Sequence, residues 1–147
     1  MPTRHYERVK SFMREAGQTV PGAVTEPPAI TRTLRAKLIL EEALETIQAL
    51  GFTVRLWGDV VTVDNCGFLA DRDVDLEGVA DGCADLLVVP VGTLIAFGID
   101  DEELLEEVDQ ASLRKFGPGG YMRDDGKWMK PPDWQPPNIA RVLYGRT

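Results

Sequence analysis

The chain has 147 residues and a mass of 16.3 kDa, with 44% hydrophobic and 27% charged residues, which is the composition of one globular domain and excludes a wholly disordered chain. A net charge of -8 and a pI near 4.6 exclude a general binder of phosphate backbones, so no nucleic-acid partner is expected. An anionic substrate is admitted only through a few local cations or through bound metal.

In chain order, Val9, Phe12 and Met13 have the spacing of a short helix over 6–16, stopped by Gly17. A stiff loop with Pro21, Gly22, Pro27 and Pro28 follows. A long helix is expected from Thr31, as N-cap, to Leu50, with Gly51 as its stop. The period then changes. Residues 52–57, a Gly58-Asp59 turn and residues 60–64 read as a β-hairpin inserted at about 52–64. A second long helix is expected over 76–97, with Pro90 inside it and Gly98 at its end. Asp100 and Glu103 form a capping pattern for a further helix reaching about Lys115. The Gly- and Pro-rich arm, about 117–147, reads as an ordered loop or partner-binding segment and not as a helix. The expected architecture is all-α: a single helical-bundle domain over 1–147 with a small inserted β-hairpin.

Cys66 and Cys83 are too few to staple a fold of this length and form no CxxC pair, so reduced thiols and a cytoplasmic location are expected. The polar N-terminus does not read as a secretory signal. The longest uncharged run, 86–99, is shorter than the roughly 18–20 residues of a membrane span, so no membrane partner is expected.

Two acidic constellations carry the chemistry. Glu41, Glu42 and Glu45 fall within about 100° of one helix face. A solvated acidic face is one reading. Against it, Leu34 and Leu38 precede them on that face while Ile39, Leu40, Leu44, Ile47 and Leu50 make a second apolar stripe, so the helix reads as partly buried on both sides. Asp81 and Asp85, at i and i+4, stand above one another at the end of an apolar stripe, with small Gly78, Gly82 and Ala84 around them. Salt bridges to arginines are the alternative there. Together Glu42, Glu45, Asp81 and Asp85 make an all-oxygen donor set, which selects Mg2+, with Mn2+ as substitute, over zinc. The only histidine, His5, reads as a surface residue, which leaves no Glu-x-x-His pair for a di-iron bundle. Asp71, Asp73 and Asp75 imitate the start of an EF-hand loop, but Leu76 and Gly82 occupy the positions that need Gly and Glu. Neither a G-x-S-x-G elbow nor a Walker A loop is present, so metal-activated water is the expected nucleophile.

The run Leu38-Ile39-Leu40-Glu41-Glu42-Ala43-Leu44-Glu45 resembles the EExxE helix of the all-α nucleoside triphosphate pyrophosphohydrolases, the MazG-like superfamily, which includes dimeric dUTPases. Gly78-Val79-Ala80-Asp81-Gly82-Cys83-Ala84-Asp85, with its exit over 92–100, is similar to the second metal helix of the phosphoribosyl-ATP pyrophosphohydrolase-like branch. The segments 107–116 and 125–137 are similar to that branch's C-terminal part, so the resemblance covers about 12–143. Two departures stand out. Gly82 occupies the ExxD glutamate position, leaving Asp81 as partner of Asp85, and Ser112 stands where relatives commonly carry Asn.

The resemblance implies hydrolysis of a nucleoside triphosphate to monophosphate and pyrophosphate, plausibly of dUTP or a non-standard nucleotide, as nucleotide-pool house-cleaning. It implies a Mg2+ site on Glu42, Glu45, Asp81 and Asp85, with Glu41 or Glu42 acting on the attacking water. Arg114, Lys115, Lys127 and Lys130 are candidate phosphate cations, or else ordinary surface charge; Ser112, Tyr121 and Trp134 are candidate base or substrate contacts. A homodimer or higher homo-oligomer is expected. A non-catalytic, metal-dependent nucleotide-binding module is the alternative.

Overall fold

In a computed structural model, which describes residues 1–145, the chain is mainly helical. Its elements are α1 (Arg4–Glu15), α2 (Ala29–Ala49), β1 (Thr53–Leu56), β2 (Cys66–Leu69), α3 (Leu76–Ala96), α4 (Glu102–Leu113), a 3-10 turn (Arg114–Phe116), β3 (Tyr121–Met122), β4 (Trp128–Met129) and α5 (Ile139–Tyr144). The all-α expectation with a small hairpin holds. The main packing is α2 against α3, with α1 laid on α3.

The apolar stripe of α1 is Tyr6, Val9 and Met13, which pack on Ile95 and Ala96 of α3 to form the buried core. Phe12, read from sequence as part of that stripe, is 65% exposed, because the 6–9–13 face turns it outward. Thr3 caps α1 by accepting from the Tyr6 amide. It also ties the two ends of the bundle together: its amide and hydroxyl both donate to the buried Asp101 carboxylate. Asp101 is therefore the residue before α4 but gives no side-chain cap to it, and the Asp100–Glu103 capping box does not form. Nor is Thr31 a cap: α2 begins two residues earlier, after Pro28, whose fixed φ leads directly into the first turn.

The hairpin differs in its second strand. β1 pairs with Cys66–Leu69, in the register Leu56↔Cys66, and residues 57–65 form a long loop in place of a two-residue Gly58-Asp59 turn. Gly67 lies opposite Arg55, where a methyl would approach the Trp57 indole nitrogen to 2.6 Å, so in this register the glycine lets the indole lie against the strand. Val60, Val61 and Val63, read as strand, are 64–80% exposed in the loop.

α3 runs unbroken through Pro90. It is 21 residues long and contains an 18-residue window of mean hydropathy 1.7, so by length and composition it could cross a membrane; the uncharged run counted from sequence is shorter because it stops at Asp85. Its role here is a packed helix of the bundle.

The arm is more ordered than its composition implied. β3 and β4 pair as Tyr121↔Met129 and Met122↔Trp128, and α5 is a true short helix, capped by the Asn138 side chain. α5 docks on α4 through Arg141, which reaches Glu107 at 2.7 Å and Glu103 at 3.1 Å. The Asn138 amide and then Arg141 hold the Glu107 carboxyl below the ordinary glutamate range. A lowered folded value gives stability that is full above the ordinary range and is lost as pH falls through the lowered one. Acidification below about pH 4 should therefore loosen α5 before the bundle unfolds, read as earlier proteolytic cleavage near 138 than at pH 7. Equal cleavage at both values would show that the pair does not hold the arm.

Candidate active site

α2 carries Glu41, Glu42 and Glu45 and α3 carries Asp81 and Asp85; Glu45, Asp81 and Asp85 face the space between the two packed helices, whereas Glu41 is exposed. Their approach is set by one contact. Gly82 is buried against Thr46, and a methyl at Gly82 would fall 2.3 Å from Thr46 Oγ1 and 3.1 Å from its Cα. Thr46 in turn donates to the Glu42 carbonyl at 2.7 Å, which keeps its hydroxyl satisfied within α2. A larger side chain at this position would require Thr46 to move, and Asp81 carries a charge one position earlier. Gly82→Ala should force the helices apart, lowering stability by about 1–3 kcal/mol and turnover with it. An unchanged melting temperature in this variant would contradict the close approach.

Glu45, Asp81 and Asp85 line one cavity of about 410 Å3 between the helices. Glu42 sits beside it, half-buried, with Oε2 enclosed and without a hydrogen-bond partner. Its carboxyl is pushed above the ordinary glutamate range, by burial first and then by the charges of Asp85, Glu45, Glu41 and Asp81. The four acids singled out in the sequence are thus close enough to repel one another, and Glu41 adds to the same field from an exposed position. As the side chains stand, no three acidic, histidine or cysteine groups among the described residues converge on a single ion.

Three further residues belong to this cavity. Asp73 and Asp75 line it, so the pattern rejected as an EF-hand still contributes acids to the site. Asp75 also caps α3, accepting from the Gly78 amide at 3.0 Å. Arg72 is the only cation lining the cavity, positioned by its amide bond to the Gly51 carbonyl and its Nε bond to Thr53. Nothing in the sequence marked Arg72, because the segment after the hairpin had to fold back across the end of α2 to bring it there.

The arm residues lie elsewhere in the protomer. Trp134 donates its indole N–H to the Ala111 carbonyl, and the ammonium groups of Lys115 and Lys130 sit 5.5 and 4.4 Å from its ring centre. Arg114 reaches the Gln135 carbonyl at 3.5 Å and lines a small cavity with Trp134. Ser112 is half-buried on α4, and Tyr121 and Lys127 are exposed on the β3–β4 hairpin. None of these lines the acidic cavity. His5 is not the surface residue expected: it is half-buried, with Nε2 enclosed and unpartnered.

Five carboxylates against one guanidinium give this cavity a field that repels phosphate and gathers cations. No curated protein matches the chain. The family model described as phosphoribosyl-ATP pyrophosphohydrolase matches residues 7–112, from α1 through both acidic helices to the end of α4. That family hydrolyses the phosphoanhydride of a nucleotide, a reaction that needs cations gathered beside a polyanion. On that match over most of its length, with the acids of α2 and α3 facing one cavity, the chain belongs to the phosphoribosyl-ATP pyrophosphohydrolase family.

Proposed function

We propose that the protein is a Mg2+-dependent nucleoside triphosphate pyrophosphohydrolase, acting on dUTP or a non-standard nucleotide in the cytoplasm. The observation that carries this reading is the acidic α2–α3 cavity with the unpartnered Glu42 oxygen beside it. The donor set fits a hard divalent cation: all oxygen, mutually repelling, with one buried acceptor that nothing in the protein satisfies. Glu42, Glu45, Asp81 and Asp85 would hold magnesium, or manganese in its place, which would supply charge neutralisation at the phosphates and a lower pKa for water. The chain's own part is to place those four carboxylates and to orient the attacking water. Glu41, exposed on α2 and close enough to act on Glu42 through its charge, is the residue we assign to accept its proton, with Glu42 as second candidate. Water adds to the α-phosphorus, the α–β anhydride bond breaks, and pyrophosphate leaves with the nucleoside monophosphate as the other product. Free Cys66 and Cys83 agree with a reducing compartment.

A panel of canonical and modified triphosphates, assayed for pyrophosphate release with and without magnesium, tests this reading. Magnesium-dependent release from at least one of them is expected. Nucleotide binding without release would favour the non-catalytic module.

The same reading includes a second copy of the chain. Within one protomer the cations of the arm do not reach the acidic cavity, so we assign their contact with phosphates to delivery from the partner copy. Deleting residues after Gly117 should then raise KM about tenfold or more while magnesium binding to the acids persists. Unchanged KM and kcat in the truncated protein would leave Lys127 and Lys130 as surface charge and Tyr121 and Trp134 as packing; Arg114→Ala, Lys115→Ala and Ser112→Ala, with KM as the readout, test the residues before the cut in the same way.

A further inference from the structure

Two turns before Glu42, on the same face of α2, a second polar group is turned inward. Arg35 is only 8% exposed, and among the described residues no carboxylate, carbonyl or hydroxyl accepts from its guanidinium. Burial alone acts on it, pushing its pKa down, with no charged neighbour to offset that. The fold makes room for the group: a methyl at Gly92 of α3 would lie 2.4 Å from Arg35 Nη1. None of its nitrogens is fully enclosed, so the group opens onto a cavity, where it stands largely withdrawn from bulk water with no counter-charge from the described residues. A cation so placed favours an anion as its partner, and the described residues supply none.

Arg35 lines a cavity of about 480 Å3 between α1, the 17–28 loop and the start of α2. Its other polar walls are neutral: Gln18, Thr19, Thr25 and Thr31. The one carboxylate among the lining residues, Glu26, is already paired with Arg32 at 3.1 Å. The first turn of α2 has no side-chain cap, so its positive end adds to the same potential. This cavity shares no lining residue with the acidic one, and Arg35 stands about 10 Å from Glu42 along the helix axis.

We propose that Arg35 is the receptor of a second ligand site, an anion subsite that takes the phosphate group of a small molecule. A guanidinium fork binds two phosphate oxygens, and the surrounding hydroxyls and amide provide donors for the third. The cavity is large enough for an organic group attached to that phosphate.

Calorimetric titration of the full chain in chelator, first with inorganic phosphate and then with a nucleoside monophosphate, tests the site. Without metal the acidic cavity repels both probes, so neither magnesium nor turnover enters the measurement. Wild type should bind phosphate, and Arg35→Met should weaken binding at least tenfold while raising the metal-free melting temperature by about 3 °C or more. Gly92→Ala, which displaces the guanidinium without removing it, should weaken binding similarly and serves if Arg35→Met is poorly soluble. A monophosphate that binds more than tenfold tighter than inorganic phosphate would give the site to a nucleotide; equal affinity would give it to a free anion. Absence of phosphate binding to wild type, or equal binding by wild type and both variants, overturns the proposal. So does a lower melting temperature in Arg35→Met, which would make the guanidinium a structural group.

Discussion

Glu42→Gln, Glu45→Gln and Asp85→Asn should each lower turnover by at least about a thousandfold, several kcal/mol of transition-state stabilisation, while the protein stays helical. Each change removes one anionic donor at nearly constant volume. Glu42 is expected to be the most sensitive, because its Oε2 is enclosed and has no partner among the described residues. Its ionised form is disfavoured in the metal-free fold by burial and by four neighbouring acids. Glu42→Gln should therefore melt no lower than wild type in chelator, and should lose most of the stabilisation that magnesium gives to wild type. A variant in this set that kept near-wild-type magnesium-dependent activity would remove its residue from the site.

Sedimentation at micromolar concentration should show a dimer or higher homo-oligomer, and Leu40→Asp or Leu87→Asp should shift it towards monomer. The protomer exposes 10546 Å2, where a compact monomer of this mass exposes about 7,500 Å2. The excess is ample for a stable interface between two copies. It is strongly apolar on the main helices: Ile39 and Leu40 of α2 and Leu87 and Val88 of α3 are 36–63% exposed, and only 28% of the apolar stretch of α3 is buried. A second copy laid against these helices would remove that surface from water. Because Leu40 and Leu87 lie on the outside of the protomer, a charge there disrupts association without breaking the α2–α3 contact. A wild-type protein that sediments as a monomer would require another cover for these faces.

The helices and the acids on them were legible because both follow from local rules. A residue's place on a helix face depends only on its distance along the chain, so Glu42, Glu45, Asp81 and Asp85 could be grouped before any packing was known. The end of α3 was likewise marked by Gly98, a stop that acts within one turn, whereas its cap, Asp75, was read only as part of the EF-hand-like pattern. The errors lie where local signals competed. Gly58-Asp59 is a good hairpin turn by composition, yet the strand pairs later, at Cys66–Leu69, where Gly67 leaves room for the Trp57 indole. Asp101 could have capped α4, but its carboxylate is taken by Thr3 from the far end of the chain.

By itself, then, the sequence determined two acidic helices, their polar and apolar faces, and a family resemblance that the match over 7–112 bears out. Only the tertiary structure decided which of those faces meet. It brought Arg72, Asp73 and Asp75 from the segment after the hairpin into the acidic cavity, and it left the arm packed on α4. It also turned Arg35 inward against Gly92, a pairing of residues 57 positions apart that no periodicity could reveal. The physical reason is common to all three: helical phase is fixed over a few residues, whereas the path of a loop and the fit of one helix against another depend on the whole chain.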